Sequence, residues 1–200
     1  MDSDTIWFHV DTERTYVADL LAGLPDGDWT TPSLCDGWTV RDVGAHLAFA
    51  QARLRDVMGP ALRSGFRYNA TIKRAAVASP LTHEQIVATL RGFVGSRRRA
   101  PIVTELEPLL DVLVHTQDIA VPLGIDHAMP PPAAAAAADR VFTLKGPMRL
   151  WDTPRGVRLV ATDVDWSRGD GPVLEAPIQH LLLALTGRTA LSGVSQGHIP

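Results

Sequence analysis

Through residue 124 the apolar residues of this chain recur at the spacing of a helix turn, each stretch apolar on one face only. In residues 5–24, Ile6, Val10, Val17, Leu20, Leu21 and Leu24 fall near a 3.6-residue period, and Pro25-Asp26-Gly27 ends it. A turn-rich stretch through Trp29, Pro32 and Cys35-Asp36-Gly37-Trp38 follows. The second helix has the clearest start, because Thr39 and Asp42 stand at capping-box spacing. Its buried stripe is Val40, Val43, Leu47, Ala50 and Leu54, and Gly59-Pro60 closes it. Residues 60–80 are ambiguous and read as a short helix with a loop ending at Ser79-Pro80. Thr82 and Gln85 make a second capping box, opening a helix to about Ser96. Arg97-Arg98-Arg99 suits the negative end of its dipole. A fourth helix starts around Pro108 and runs through Leu109, Val112, Leu113 and Ile119 to the break at Pro122-Leu123-Gly124. Such helices must bury their apolar faces on one another, and four of them predict an antiparallel bundle over residues 1–124.

Beyond Gly124 the pattern changes. Pro130-Pro131-Pro132 and an alanine run lead into a helix near 133–145. Residues 157–162 alternate like a strand, Asp163–Gly171 reads as a loop, and 175–186 as a helix with Gly187 as its C′ residue. Residues 125–200 are thus expected to be a small α+β unit packed on the bundle, being too short to hold a large core of their own.

Composition narrows the class of function. The chain is 46% hydrophobic and 20% charged, enough apolar residues for a core. Its 19 Lys and Arg are outweighed by 22 Asp and Glu, so no basic face for nucleic acid is expected. The sole cysteine, Cys35, excludes an internal disulfide, and no apolar run approaches the roughly 20 residues of a membrane span. The start Met1-Asp2-Ser3-Asp4 lacks the positive charge of a signal peptide, and a cytoplasmic protein is expected. The chain has no GxGxxG, phosphate loop, HExxH or GxSxG.

The residues able to do chemistry are then His46, Asp111 and His115. Asp111 and His115 are four apart on the fourth helix and project from one face, while His46 lies beside the stripe of the second. Two imidazoles and a carboxylate are the ligand set of a divalent metal site with positions left for substrate. The same Asp–His spacing also describes a surface pair stabilising a helix by about 0.2–0.5 kcal/mol, and spacing alone leaves both readings open. His9, on the first helix, is a reserve ligand; His83, His127, His180 and His198 read as solvated or structural. Cys35 reads as a packed turn residue, and Asp118 either as an acceptor that can orient His115 or as an exposed helix-end carboxylate. Arg188, after Gly187, reads either as an anion contact or, more commonly, as an arginine drawn to a helix C-terminus.

Three segments carry a resemblance. Pro32-Ser33-Leu34-Cys35-Asp36-Gly37-Trp38-Thr39-Val40-Arg41-Asp42-Val43-Gly44-Ala45-His46-Leu47-Ala48 resembles the N-terminal signature of the mycothiol-dependent maleylpyruvate isomerase family. Val114-His115-Thr116-Gln117-Asp118-Ile119-Ala120-Val121-Pro122-Leu123-Gly124 resembles its second motif, and Leu181-Leu182-Leu183-Ala184-Leu185-Thr186-Gly187-Arg188 looks like its close. The resemblance implies a mainly α protein, a DinB-like four-helix bundle carrying a divalent metal, usually Zn²⁺, followed by a small sterol-carrier-like α+β domain. The family's two ligand histidines fall on His46 and His115. Its third ligand, commonly a glutamate, falls on Asp111, and the shorter carboxylate implies a re-spaced site or a different metal. An arginine of the family's C-terminal domain, turned toward the substrate carboxylate, maps to Arg188.

The implied chemistry is activation of a low-molecular-weight thiol, mycothiol, as cosubstrate. Its thiolate attacks a small electrophile, with transfer or isomerisation as the outcome. Two other readings stand beside it: a hydrolase or lyase activating water on the same scaffold, and a non-catalytic binding or regulatory protein.

Overall fold

The computed structural model describes residues 1–51, 68–99, 103–144 and 156–190. Seven helices and three short strands lie within them: α1 Ser3–Gly23, α2 Val40–Ala48, α3 Tyr68–Val77, α4 His83–Gly92, α5 Leu106–Ala120, α6 Pro131–Thr143 and α7 Ile178–Leu185, with β1 Arg158–Ala161, β2 Ser167–Arg168 and β3 Val173–Ala176. Single 3-10 turns follow α1, at Asp28–Thr30, and α5, at Val121–Leu123.

Helices α1, α2, α4 and α5 form the bundle. Both α1 and α2 pack against α4 and against α5, so the four close into a ring, with α3 laid on α2. Val17, Leu21, Val40, Val43, Leu47, Ile86, Leu90, Val112 and Ile119 fill its centre. Gly44 sits where α2 crosses its neighbours; a Cβ there would stand 3.3 Å from both Ile86 and Leu21.

The second half builds on the first. The other ends of α1 and α5, through Ile6, Trp7, Val10, Leu109 and Leu113, join a second core with α6, the sheet and α7. The sheet runs β2-β1-β3, with β1–β2 antiparallel and β1–β3 parallel. Residues 173–176 pair with β1, so Glu175 and Ala176, read from the sequence as the start of a helix, belong to a strand, and α7 begins only after Pro177. The stretch expected as a loop at 163–171 holds the short β2. Gly187 takes φ +74°, the left-handed conformation of a C′ glycine.

Both capping boxes form. Thr39 accepts the Asp42 N–H and the Asp42 carboxylate accepts the Thr39 N–H at 3.0 Å; Thr82 and Gln85 do the same for α4. The Thr39 box fixes where α2 starts and hence the turn on which His46 falls. Thr39→Ala is expected to lower stability by about 1 kcal/mol, measured by urea denaturation, with the remaining elements intact. Helix α2 ends at Ala48, where the Phe49 N–H turns back to the His46 carbonyl. Leu54 and Gly59-Pro60, predicted to continue and close this helix, lie outside the described residues, as does His198. Among the described residues no helix is long and apolar enough to cross a membrane.

Candidate metal centre

The packing of α2 on α5 brings His46 to the pair already aligned on α5. His46 Nε2 lies 3.2 Å from Asp111 Oδ1, and His115 Nε2 lies 3.5 Å from the same oxygen. The imidazole centroids are 4.6 Å apart at 70°. One ligand atom from each residue falls within 4.8 Å of the others, so three donors drawn from two helices converge. Trp38 covers the site, its ring centroid 5.2 Å from His46 and 6.1 Å from His115. Asp111 keeps a third of its side chain exposed, which leaves the cluster an open side.

Behind His115 stands a buried polar network. Asp118, one turn on and fully buried, places Oδ2 2.7 Å from His115 Nδ1. Arg188, arriving from the end of α7, donates from Nε to Asp118 Oδ1 at 3.0 Å and from Nη2 to Oδ2 at 2.8 Å. The Cys35 thiol also donates to Asp118 Oδ2, at 3.1 Å, and Arg188 Nη2 lies 3.2 Å from the sulfur. The turn bearing Cys35 is tied in place by the Ser33 N–H on the Trp38 carbonyl and the Leu34 N–H on the Asp118 carbonyl.

The electrostatics follow from this geometry. Burial works against ionisation of Asp118, but the bonds from His115 and Arg188 outweigh it and hold the carboxyl well below its usual range. Burial lowers the pKa of His115 and favours the neutral ring. A neutral His115 whose Nδ1 faces a carboxylate carries its proton there, so Nε2 presents a lone pair toward Asp111. Asp111 is also ionised: burial opposes this, yet His46 and then His115 hold it at about 2. Lone pairs directed at one another across 3.5 Å fit a cation between them, and two nitrogens with one oxygen are a donor set for Zn²⁺ or Fe²⁺. Cys35 is different. Burial and the charge of Asp118 push its thiol up to about 12 against the pull of Arg188, so it remains protonated.

The other histidines lie elsewhere. His9 meets Phe8 edge-on and is outside the cluster. His127 pairs with Glu13 at 3.0 Å and stacks on Tyr16. His83 stacks on Trp29 at 3.9 Å. A buried arginine on α1, Arg14, lines a recess that reaches Asp111, and the periodicity of α1 alone did not single it out.

Comparison with known proteins adds two findings. Residues 10–120 match the family model described as the mycothiol maleylpyruvate isomerase N-terminal domain, and that span contains His46, Asp111, His115 and Asp118. Crystal structures of the mycothiol-dependent maleylpyruvate isomerase and of a histidine-to-alanine mutant of it share the fold over 100% of this chain and 95% of theirs. Their TM-scores are 0.62 and 0.63, each at 17% identity. No curated protein matches the chain.

Proposed function

Since the chain belongs to the family of the mycothiol maleylpyruvate isomerase N-terminal domain, we propose that it is a metal-dependent enzyme. It activates mycothiol for transfer to, or isomerisation of, a small electrophile. Its fold, a DinB-like helical bundle with a small C-terminal α/β part, is that of the isomerase structures. The observation that carries the reading is the convergence of His46, Asp111 and His115 on one point with an open side.

These three residues would hold the divalent ion, with Zn²⁺ the choice for two imidazoles and a carboxylate. Bound there, a divalent cation supplies one thing, a lowered pKa for a thiol, so that thiolate exists at neutral pH. The chain does the rest. Asp118 keeps the His115 proton on Nδ1 and so keeps Nε2 free as a ligand atom. Arg188 acts through Asp118, gripping both carboxylate oxygens from behind. Trp38 shields the imidazoles from water on one side. Cys35, held as a thiol, leaves the attack to the cosubstrate's sulfur. Addition of that sulfur to an unsaturated carbon leaves a single bond free to rotate, and expulsion of the thiolate then completes an isomerisation. Loss of a different group completes a transfer.

The test is consumption of an α,β-unsaturated carbonyl compound by protein purified without chelator, with and without mycothiol and after chelator treatment. Turnover that needs both thiol and metal is expected. Metal-dependent turnover without thiol would reassign the site to water activation, and no turnover under any condition would leave a binding protein.

A further inference from the structure

Arg14 stands one turn after Val10 and one before Val17, in the middle of the stripe that α1 buries, and only 5% of it is exposed. A guanidinium in such a place stays charged, although burial lowers its pKa. Its Nη1 donates to the carbonyls of Phe93 and Ser96, both at 2.9 Å, and meets Asp11 at 3.3 Å. Those contacts close the C-terminal end of α4. They also account for every hydrogen bond of the side chain among the described residues, since Nε and Nη2 make none. Those two nitrogens are therefore available to a group that enters beside them.

The side chain lines a small recess that is partly open to solvent. Leu47, Leu90, Phe93 and Val112 form apolar walls, Ala50 stands on the exposed side, and Asp111 lines it as well. The recess therefore borders the candidate metal centre through the residue shared by both.

We propose that this recess is a carboxylate subsite, in which Arg14 binds the acid group of a small ligand whose other end reaches Asp111 and the two imidazoles. The planar edge of a guanidinium matches a carboxylate with two parallel N–H bonds. Apolar walls suit a short hydrocarbon stem that leaves through the open mouth. A flat carboxylate fits the small recess better than a tetrahedral phosphate. As a statement about substrate, the subsite rests on the thiol-transfer reading; as a binding site it does not.

The experiment is a titration of the purified protein with crotonate, crotonamide and inorganic phosphate, followed by ligand-observed NMR. Crotonate is expected to bind saturably, with crotonamide and phosphate each at least about 10-fold weaker. Arg14→Gln is expected to weaken crotonate binding about 10- to 100-fold. Ala50→Trp, which fills the mouth and leaves Arg14 with its carbonyl contacts, is expected to do the same and decides the matter if Arg14→Gln fails to fold. Crotonate binding unchanged in Ala50→Trp, or matched by crotonamide, would reduce Arg14 to a helix cap; phosphate binding equally well would overturn the carboxylate assignment. Crotonate binding in a protein without thiol-dependent turnover would keep the subsite and sink the thiol reading, and turnover without crotonate binding would do the reverse.

Discussion

His115→Ala is expected to abolish stoichiometric divalent metal and to lower thiol-dependent turnover by about 10³-fold, the loss of several kcal/mol of charge stabilisation at 1.36 kcal/mol per decade. The cluster has three protein donors, and removing one leaves two. The imidazole lies at the edge of the core rather than inside it, so helix content should survive. His46→Ala and Asp111→Ala should behave alike, because the three residues act as one site. Elemental analysis of each variant beside wild type, with circular dichroism as the control for folding, reads the result. Metal retained by Asp111→Ala alone would move the third ligand to another residue. A folded, metal-free wild type that refuses added Zn²⁺ would remove the enzyme reading altogether.

Asp118→Ala should be the most destabilising single substitution near the site, by about 3–5 kcal/mol, because it removes the carboxylate that a buried guanidinium grips with two hydrogen bonds. Asp118 is fully buried and Arg188 nearly so. Truncation also leaves His115 Nδ1 and the Cys35 thiol without their acceptor. Asp118→Asn keeps the shape and loses the charge, so an intermediate loss is expected. Adding Arg188→Leu to Asp118→Ala should recover part of the stability, since the buried charge that lost its carboxylate goes with it. Urea denaturation at pH 7 measures all three. The same groups set the acid limit of the fold. His115 is held neutral by burial, so stability is full above about pH 6.5 and falls as the unfolded chain takes up the proton below it. Asp111 and Asp118 have depressed values, so their contributions are present above the ordinary 3.8 and are lost as the pH falls toward about 2 and lower.

What could be read from the sequence was local. Thr39 with Asp42 and Thr82 with Gln85 name their helix starts, because a capping box is complete within four residues. Asp111 and His115 share a face by helix geometry alone. His46 joins them only because α2 packs on α5, 65 residues away in the chain, which no spacing rule specifies. The strand at Val173–Ala176 was hidden for the same reason, as its partner β1 lies across a parallel pairing. The end of α2 at Ala48 was hidden by Ala50 and Leu54, which continue the helical period past the turn at Phe49. Arg14 did leave a trace. It is a charge at the spacing of Val10 and Val17 on a buried stripe, and a charge in that register asks for a partner or a ligand.

The grip of Arg188 on Asp118 has a temporal side. Asp118 leaves the ribosome 70 residues before Arg188, and Cys35 leaves 153 residues before it. At about 5–20 residues per second, a nascent chain spends roughly 4–14 s with the bundle helices complete and that carboxylate without its cation. During this interval His115 Nδ1 and the Cys35 thiol are the partners of Asp118 already made. The grip on Asp118 thus closes only once the segment after α7 has been made, and site assembly becomes a late event of synthesis.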